Sequence, residues 1–287
     1  MKGTYDRRKA QFALEKKLRM RILNSARKER PAVTSLTYQE LFDKFPDHSV
    51  FLQNNASRKR KGERGAAMIL PLANKGQRIL EVGCGRGDVL LELAKRGLNC
   101  FGIEPSRHML EFCDGLPGVT ILHGTAERLE FPDEIFDLVF SQQLIEHLHP
   151  DDVPNHFAEV LRVLRPGGVL AIETPNRSTG PQDISRGYAK VAEGLHLKEW
   201  SVRELIDQYR RIGFVRLRGL LAPPFLARRS VKIYRSMQVP ACFKYFQDLF
   251  LGFIPGLKIR TFIGKIIGLD DIFLVGEKPK RKIGSPT

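Results

Sequence analysis

Arg78-Ile79-Leu80-Glu81-Val82-Gly83-Cys84-Gly85-Arg86-Gly87-Asp88-Val89-Leu90-Leu91 is the stretch whose reading decides the fold. Residues 78–83 form a short apolar-rich run with the length of a buried strand. Residues 88–96 then place Val89, Leu90, Leu93 and Ala94 on one helical face, with an acid in the first turn and Gly97 past the end. Between them, Gly83-Cys84-Gly85-Arg86-Gly87 lets the backbone turn tightly and approach a ligand, and the helix that follows presents free N–H donors. Glu104, 21 residues after Gly83, closes the next apolar run, where a carboxylate can accept from both hydroxyls of a ribose. Strand, loop, helix and acid together predict a nucleoside-containing cofactor. The spacing is G-x-G-x-G with an acid at Glu81, whereas a dinucleotide site wants G-x-G-x-x-G, so NAD is disfavoured.

Working outward, residues 100–104, 119–123, 136–140, 169–173, 214–220 and 272–275 supply six more short strands. Val153, Phe157, Val160, Leu161 and Leu164 line one face of a helix that Pro166-Gly167-Gly168 stops and turns. Ser201-Val202-Arg203-Glu204 fits a capping box, predicting a helix over 202–212 ended by Gly213. Alternating strands and helices give an α/β fold, a seven-stranded, mostly parallel sheet with helices on both faces. Its core occupies 66–222. Before it lies a basic N-terminal helical cap, 1–65, with an amphipathic helix over 11–30 and an aromatic segment over 38–51. An insert over 223–269 interleaves Phe225, Tyr234, Phe243, Tyr245, Phe246, Phe250, Phe253 and Phe262 with Lys and Arg, and 270–287 holds the last strand and a basic tail.

The 287 residues carry a net charge of +15, and its distribution matters more than its size. Residues 1–30 hold 11 basic and 3 acidic side chains and 221–287 hold 12 and 4, while 66–220 hold 18 and 21. The charge belongs to the appendages, which suits RNA, an anionic membrane surface or simple solvation. A mean hydropathy of −0.24 excludes a polytopic membrane protein, and the basic N-terminus lacks the apolar stretch of a secretory signal, which predicts a cytoplasmic protein. Cys84, Cys100, Cys113 and Cys242 show no C-x-x-C spacing and read as reduced thiols.

Residues 77–220 resemble the class I S-adenosylmethionine-dependent methyltransferases, whose fold is Rossmann-like. Glu81 to Gly87 resembles the family's first motif and Ile103-Glu104-Pro105-Ser106 its ribose-binding acid. Phe131-Pro132-Asp133 with Phe136-Asp137-Leu138-Val139 resembles its fourth-strand approach, and Leu161 to Gly168 the segment before its fifth strand. The resemblance implies S-adenosyl-L-methionine as cofactor, with Glu81, Gly83, Cys84, Gly85 and Gly87 around the methionine part and Glu104 and Pro105 at the ribose. Met109, Thr125 and Ala126 would border the adenine, and Gln142 the methionine carboxylate or sulfonium. Many relatives carry Asp where Thr125 stands. Ile145-Glu146-His147, Glu173-Thr174-Pro175-Asn176 and His196 to Ser201 resemble the branch containing ubiquinone-type O-methyltransferases. Some relatives ligate a divalent metal with Glu at the position of Gln143, and its replacement by Gln removes a hard anionic ligand, so no metal is predicted.

Methyl transfer to a hydroxyl needs in-line placement and a base. His147, beyond the fourth strand at the ligand-binding edge of the sheet, is the natural base, Glu146 its orienting partner and His196 a residue of a closing loop; each also has a purely structural reading. A small-molecule or lipid-linked acceptor is predicted, with the insert as a substrate lid that also docks on anionic lipid through Lys232, Arg235, Lys244, Lys258, Arg260 and Lys265. An RNA or DNA methylase is the alternative. Amino-group methylases of nucleic acids carry an Asn or Asp-Pro-Pro-aromatic motif where this chain has Ser141-Gln142-Gln143-Leu144, and Ala222-Pro223-Pro224-Phe225 is misplaced for that role. A non-catalytic cofactor-binding tether is the third reading.

Overall fold

The computed structural model describes residues 2–48, 52–221 and 237–281. Among the described residues eight strands form one sheet: β1 Arg78–Val82, β2 Asn99–Glu104, β3 Val119–His123, β4 Phe136–Gln142, β5 Leu164–Pro175, β6 Val215–Leu220, β7 Gln238–Pro240 and β8 Asp271–Glu277. Their order is β3-β2-β1-β4-β5-β8-β6-β7. The first five pair in parallel, while β8 runs antiparallel to β5 and β6, and β7 antiparallel to β6. The sheet thus has one strand more than the sequence predicts. The added β7 is three residues long and follows the undescribed 222–236, too short to carry an alternation signal. The fifth strand also begins five residues early. The helix ends at Val163, before Pro166-Gly167-Gly168, which lies within β5; the chain enters the sheet at Leu164 through an irregular register opposite Phe136 and Leu138.

Alternation along the strands divides the core. Leu80 and Val82 of β1, Leu170 and Ile172 of β5 and Ile272 and Leu274 of β8 face one apolar cluster, while Ile79, Ala171, Phe273 and Val275 face the other. Helices α4 Asp88–Ala94 and α3 Asn55–Ile69 cover the second face; α6 Val153–Val163 and α7 Val202–Ile212 cover the first. The short α5 Arg107–Leu110 follows β2. In α7 the capping box forms in full, Ser201 and Glu204 each bonding the other's backbone N–H, and Gly213 closes it in the left-handed conformation at φ +104°.

The N-terminal cap comprises α1 Lys2–Leu23 and α2 Arg30–Lys44, so the first helix ends seven residues before the predicted 30. The boundary expected at 65/66 falls inside α3. Leu18, Ile22, Leu41, Phe42 and Phe45 of the cap form their own cluster with Met109, Leu195 and Leu197. Buried Arg30 pairs with buried Asp152 at 2.8 Å, and Arg19 donates to the Leu197 carbonyl at 3.0 Å, fixing the cap over the carboxyl edge of the sheet.

Of the insert, α8 Ala241–Gly252 and α9 Leu257–Ile267 are described; Phe225, Lys232, Tyr234 and Arg235 lie outside the described residues. Lys244 is not a surface cation. It is fully buried, its Nζ donating to the Gly268 carbonyl at 2.9 Å.

Candidate functional site

Strand order reverses at β1, whose neighbours are β2 and β4, and open α/β sheets bind ligands outside the carboxyl ends of strands at such a point. A cleft of about 1060 Å³ lies there. Glu81, Gly83, Cys84, Gly85, Glu104, Pro105, Met109, Thr125, Ala126, Gln142, His147 and His196 all line it. Gly87 and Glu146 are not among the residues that line it.

The glycines of the loop do different work. All three have positive φ, but a Cβ on Gly83 would lie 2.9 Å from Leu144 and one on Gly87 2.7 Å from Leu116, so these two also permit packing. A Cβ on Gly85 would meet nothing within 4 Å. Gly85 is therefore the point where the backbone is open to a ligand. Glu104, at the tip of β2, accepts from the Gly85 N–H and the Ser106 N–H, both at 2.9 Å. Burial raises its carboxyl above the usual range, opposed by those two bonds. Glu81 is buried with Oε2 unpartnered, and burial pushes its pKa up further. An open backbone cradle, an acid at the ribose position and an unsatisfied buried carboxylate beside them fit a cationic nucleoside such as S-adenosylmethionine.

Across the cleft, Gln143 takes φ +52° after β4 and turns the chain toward Glu146 and His147. His147 Nδ1 lies 3.0 Å from the Leu195 carbonyl and 3.1 Å from Tyr38 Oη, which fixes the proton on Nδ1 and leaves the lone pair on Nε2. Burial, then His196, lowers its pKa to about 3, so the ring is neutral. The His196 ring stands 4.9 Å away, with Nδ1 3.0 Å from Glu199 Oε1. Burial opposes its charge, but Glu199, Glu146 and Asp183 prevail and raise its pKa. Glu146 is fully buried, accepts from Thr174 Oγ1 at 2.9 Å and leaves Oε1 unpartnered; burial raises it to about 7. One ligand atom from each of Glu146, His147 and His196 falls within 4.8 Å of the others, a donor set that suits a transition-metal ion. Gln143, where the metal-binding relatives carry Glu, instead reaches Asp271 at 3.4 Å. His149 stays outside the cluster and holds the cap, Nε2 lying 3.3 Å from the Leu23 carbonyl.

The sequence reading missed the wall that the cap builds. Tyr38, Glu15, Lys61 and Arg64 line the cleft, and Arg64 pairs with Glu173 at 3.3 Å and Asp271 at 3.8 Å beside Gln142, which donates to Glu173 at 3.0 Å. Burial, then Asp271, raises Glu173 to about 7. No short motif announces these residues. By contrast, none of the described residues 237–269 lines the cleft, whereas residues of α1 and α2 do; the first part of the expected lid, 223–236, lies outside the described residues.

A family model described as a methyltransferase domain matches residues 80–172. An uncharacterized methyltransferase of Synechocystis is 30% identical over 149 residues, covering 48% of this chain and 70% of that protein. The chain belongs to the class I S-adenosylmethionine-dependent methyltransferases. Within this family it is also similar to a probable S-adenosylmethionine-dependent methyltransferase of Mycolicibacterium smegmatis, 34% identical over 143 residues, 48% of this chain and 52% of that one. A phthiotriol/phenolphthiotriol dimycocerosates methyltransferase of Mycobacterium leprae is 31% identical over 153 residues, 47% and 56%. The chain thus spans about half the length of these two relatives. The methyltransferase fold is shared with a Haemonchus contortus phosphoethanolamine N-methyltransferase solved with S-adenosyl-L-methionine, at a TM-score of 0.54, 20% identity, and coverage of 83% of this chain and 60% of that one.

Proposed function

We propose that this methyltransferase methylates an oxygen of a small-molecule or lipid-linked acceptor, with His147 receiving the acceptor's proton. The observation that carries the reading is the placement of a neutral imidazole, with its lone pair on Nε2, in the cleft that also holds Gly85 and Glu104. S-adenosylmethionine supplies a methyl group already activated on a sulfonium. The loop and Glu104 hold the cofactor, and the cap closes the acceptor side from water. His147 Nε2 accepts the hydrogen bond of the acceptor hydroxyl; as the O–C bond forms and the S–C bond breaks, that proton becomes strongly acidic and passes to Nε2. An imidazole of low basicity suffices for such a proton. His196, bonded to Glu199 at 3.0 Å, stands edge-on to the His147 ring at 4.9 Å and holds its orientation. The M. leprae relative, named for a lipid substrate, supports a lipid-linked acceptor.

The test is release of S-adenosylhomocysteine by the purified chain supplied with phenol, sugar, lipid and tRNA pools. Turnover with a hydroxylated lipid or small molecule is expected; turnover with tRNA alone overturns the reading. A second reading uses the Glu146–His147–His196 donor set to hold a divalent metal that activates the acceptor. Turnover unchanged by EDTA leaves His147 as the base, and loss restored by one metal selects the second reading.

A further inference from the structure

Helix α8 is amphipathic the wrong way round for a surface helix. Its charged residues face inward: buried Asp248 accepts from Asn176 Nδ2 at 3.0 Å and from the Val202 N–H at 3.1 Å, and buried Lys244 bonds the Gly268 carbonyl. Its outward face is Phe243, Phe246, Leu249 and Phe250, continued by Phe253. Helix α9, packed against it, adds Ile259, Phe262 and Ile266. These eight side chains are 46 to 78% exposed, and large aromatic groups left in water in such a row mark a surface made to be covered.

Charge decides what covers it. From 241 to 267 the exposed or half-buried charges are Lys258, Arg260 and Lys265; the one acid, Asp248, is buried. A second copy meeting this face with its own would gather cations against cations. An anionic bilayer offers both parts of the complement: an acyl boundary for the rings and headgroup phosphates for the lysines. The pair also sits at the end of the sheet that carries the cleft, since Asn176 follows β5 and Thr261 Oγ1 donates to the Thr179 carbonyl at 3.0 Å, three residues before Gln182 on the cleft wall. No helix among the described residues is long and apolar enough to cross a membrane, so the contact is peripheral. We propose that the outer face of α8 and α9 docks the protein on anionic lipid, with Phe243, Phe246, Phe250, Phe253 and Phe262 entering the interface and Lys258, Arg260 and Lys265 meeting headgroups. This holds whatever the acceptor, and catalysis does not depend on it.

The experiment is co-sedimentation of the full chain with vesicles of phosphatidylcholine and of equal parts phosphatidylglycerol and phosphatidylcholine, at low and high salt. Binding to the anionic vesicles, weakened by salt, is expected. The triple variant Phe246→Ser, Phe250→Ser, Phe253→Ser should bind them at least about tenfold more weakly, since each ring removes apolar area from the contact. Lys258→Gln with Lys265→Gln should abolish most of the salt sensitivity. Both variants should keep the cofactor affinity of the parent, which checks the fold. Absence of vesicle binding by the parent, equal binding to both vesicle types, or undiminished binding of the triple variant overturns the proposal. A solution dimer that the triple variant dissociates assigns the face to a second copy instead.

Discussion

On the cofactor side of the cleft, Glu104 bonds Gly85 and Ser106 across 19 and 2 positions of sequence; on the acceptor side, Tyr38 meets His147 across 109 and Glu15 accepts from the Leu195 N–H across 180. One wall is a local unit of strand, loop and acid that shapes itself. The other exists only while the cap is docked on the sheet edge. The difference predicts that substitutions on the two sides fail differently, although the cap also packs on Met109.

The largest effect expected is on the docking of the cap. Arg30→Met leaves Asp152 buried with exposed Arg27 at 3.3 Å as its remaining partner and should cost about 3 to 5 kcal/mol in urea unfolding. Acceptor KM should rise while cofactor Kd moves little; a loss of cofactor binding in the folded variant would break the separation. Next, His147→Ala should lower kcat by about 10² or more with cofactor affinity intact. Acid stability sharpens the comparison further. His156, buried against the Ala126 carbonyl, is lowered by burial to about 4, below its ordinary 6.5. The unfolded chain therefore binds the proton first, and stability is present above 6.5 and lost as pH falls through about 4. His156→Gln, which keeps a donor for that carbonyl, should remove up to about 3 kcal/mol of the fall, read from urea midpoints across that window. Glu146 and Glu173 act oppositely, their stability present below about 4.5 and lost as pH rises through about 7. The smallest effect is in binding itself: a cationic cofactor beside carboxyls raised by burial should release a fraction of a proton, seen as a buffer-dependent enthalpy in calorimetry. Identical enthalpies in buffers of different ionisation heat would contradict it.

The legibility of the two walls in the sequence follows the same division. Residues 78–104 could be read because the strand period, the glycines and Glu104 are near neighbours whose spacing carries the geometry. The capping box at Ser201 was legible for the same reason. Tyr38 and the pairing of Arg64 with Glu173 and Asp271 were not, since their meeting depends on how helices pack over the sheet and no local pattern encodes that. Lys244 illustrates the limit: among aromatics and cations it reads as exposed, yet a carbonyl at Gly268 and the carboxylate of Asp248 draw it inward. No local sign in the sequence announces that α1 and α2 line the cleft.

The central claim is that the glycine loop and Glu104 hold the cofactor, and calorimetric titration of S-adenosylmethionine into Glu104→Ala tests it most directly. Loss of a buried acceptor for the ribose hydroxyls should weaken binding roughly ten- to hundredfold, the cost of charge-assisted hydrogen bonds of about 1.5 to 3 kcal/mol. Affinity equal to that of the parent, in a variant whose urea midpoint shows it folded, would contradict the account.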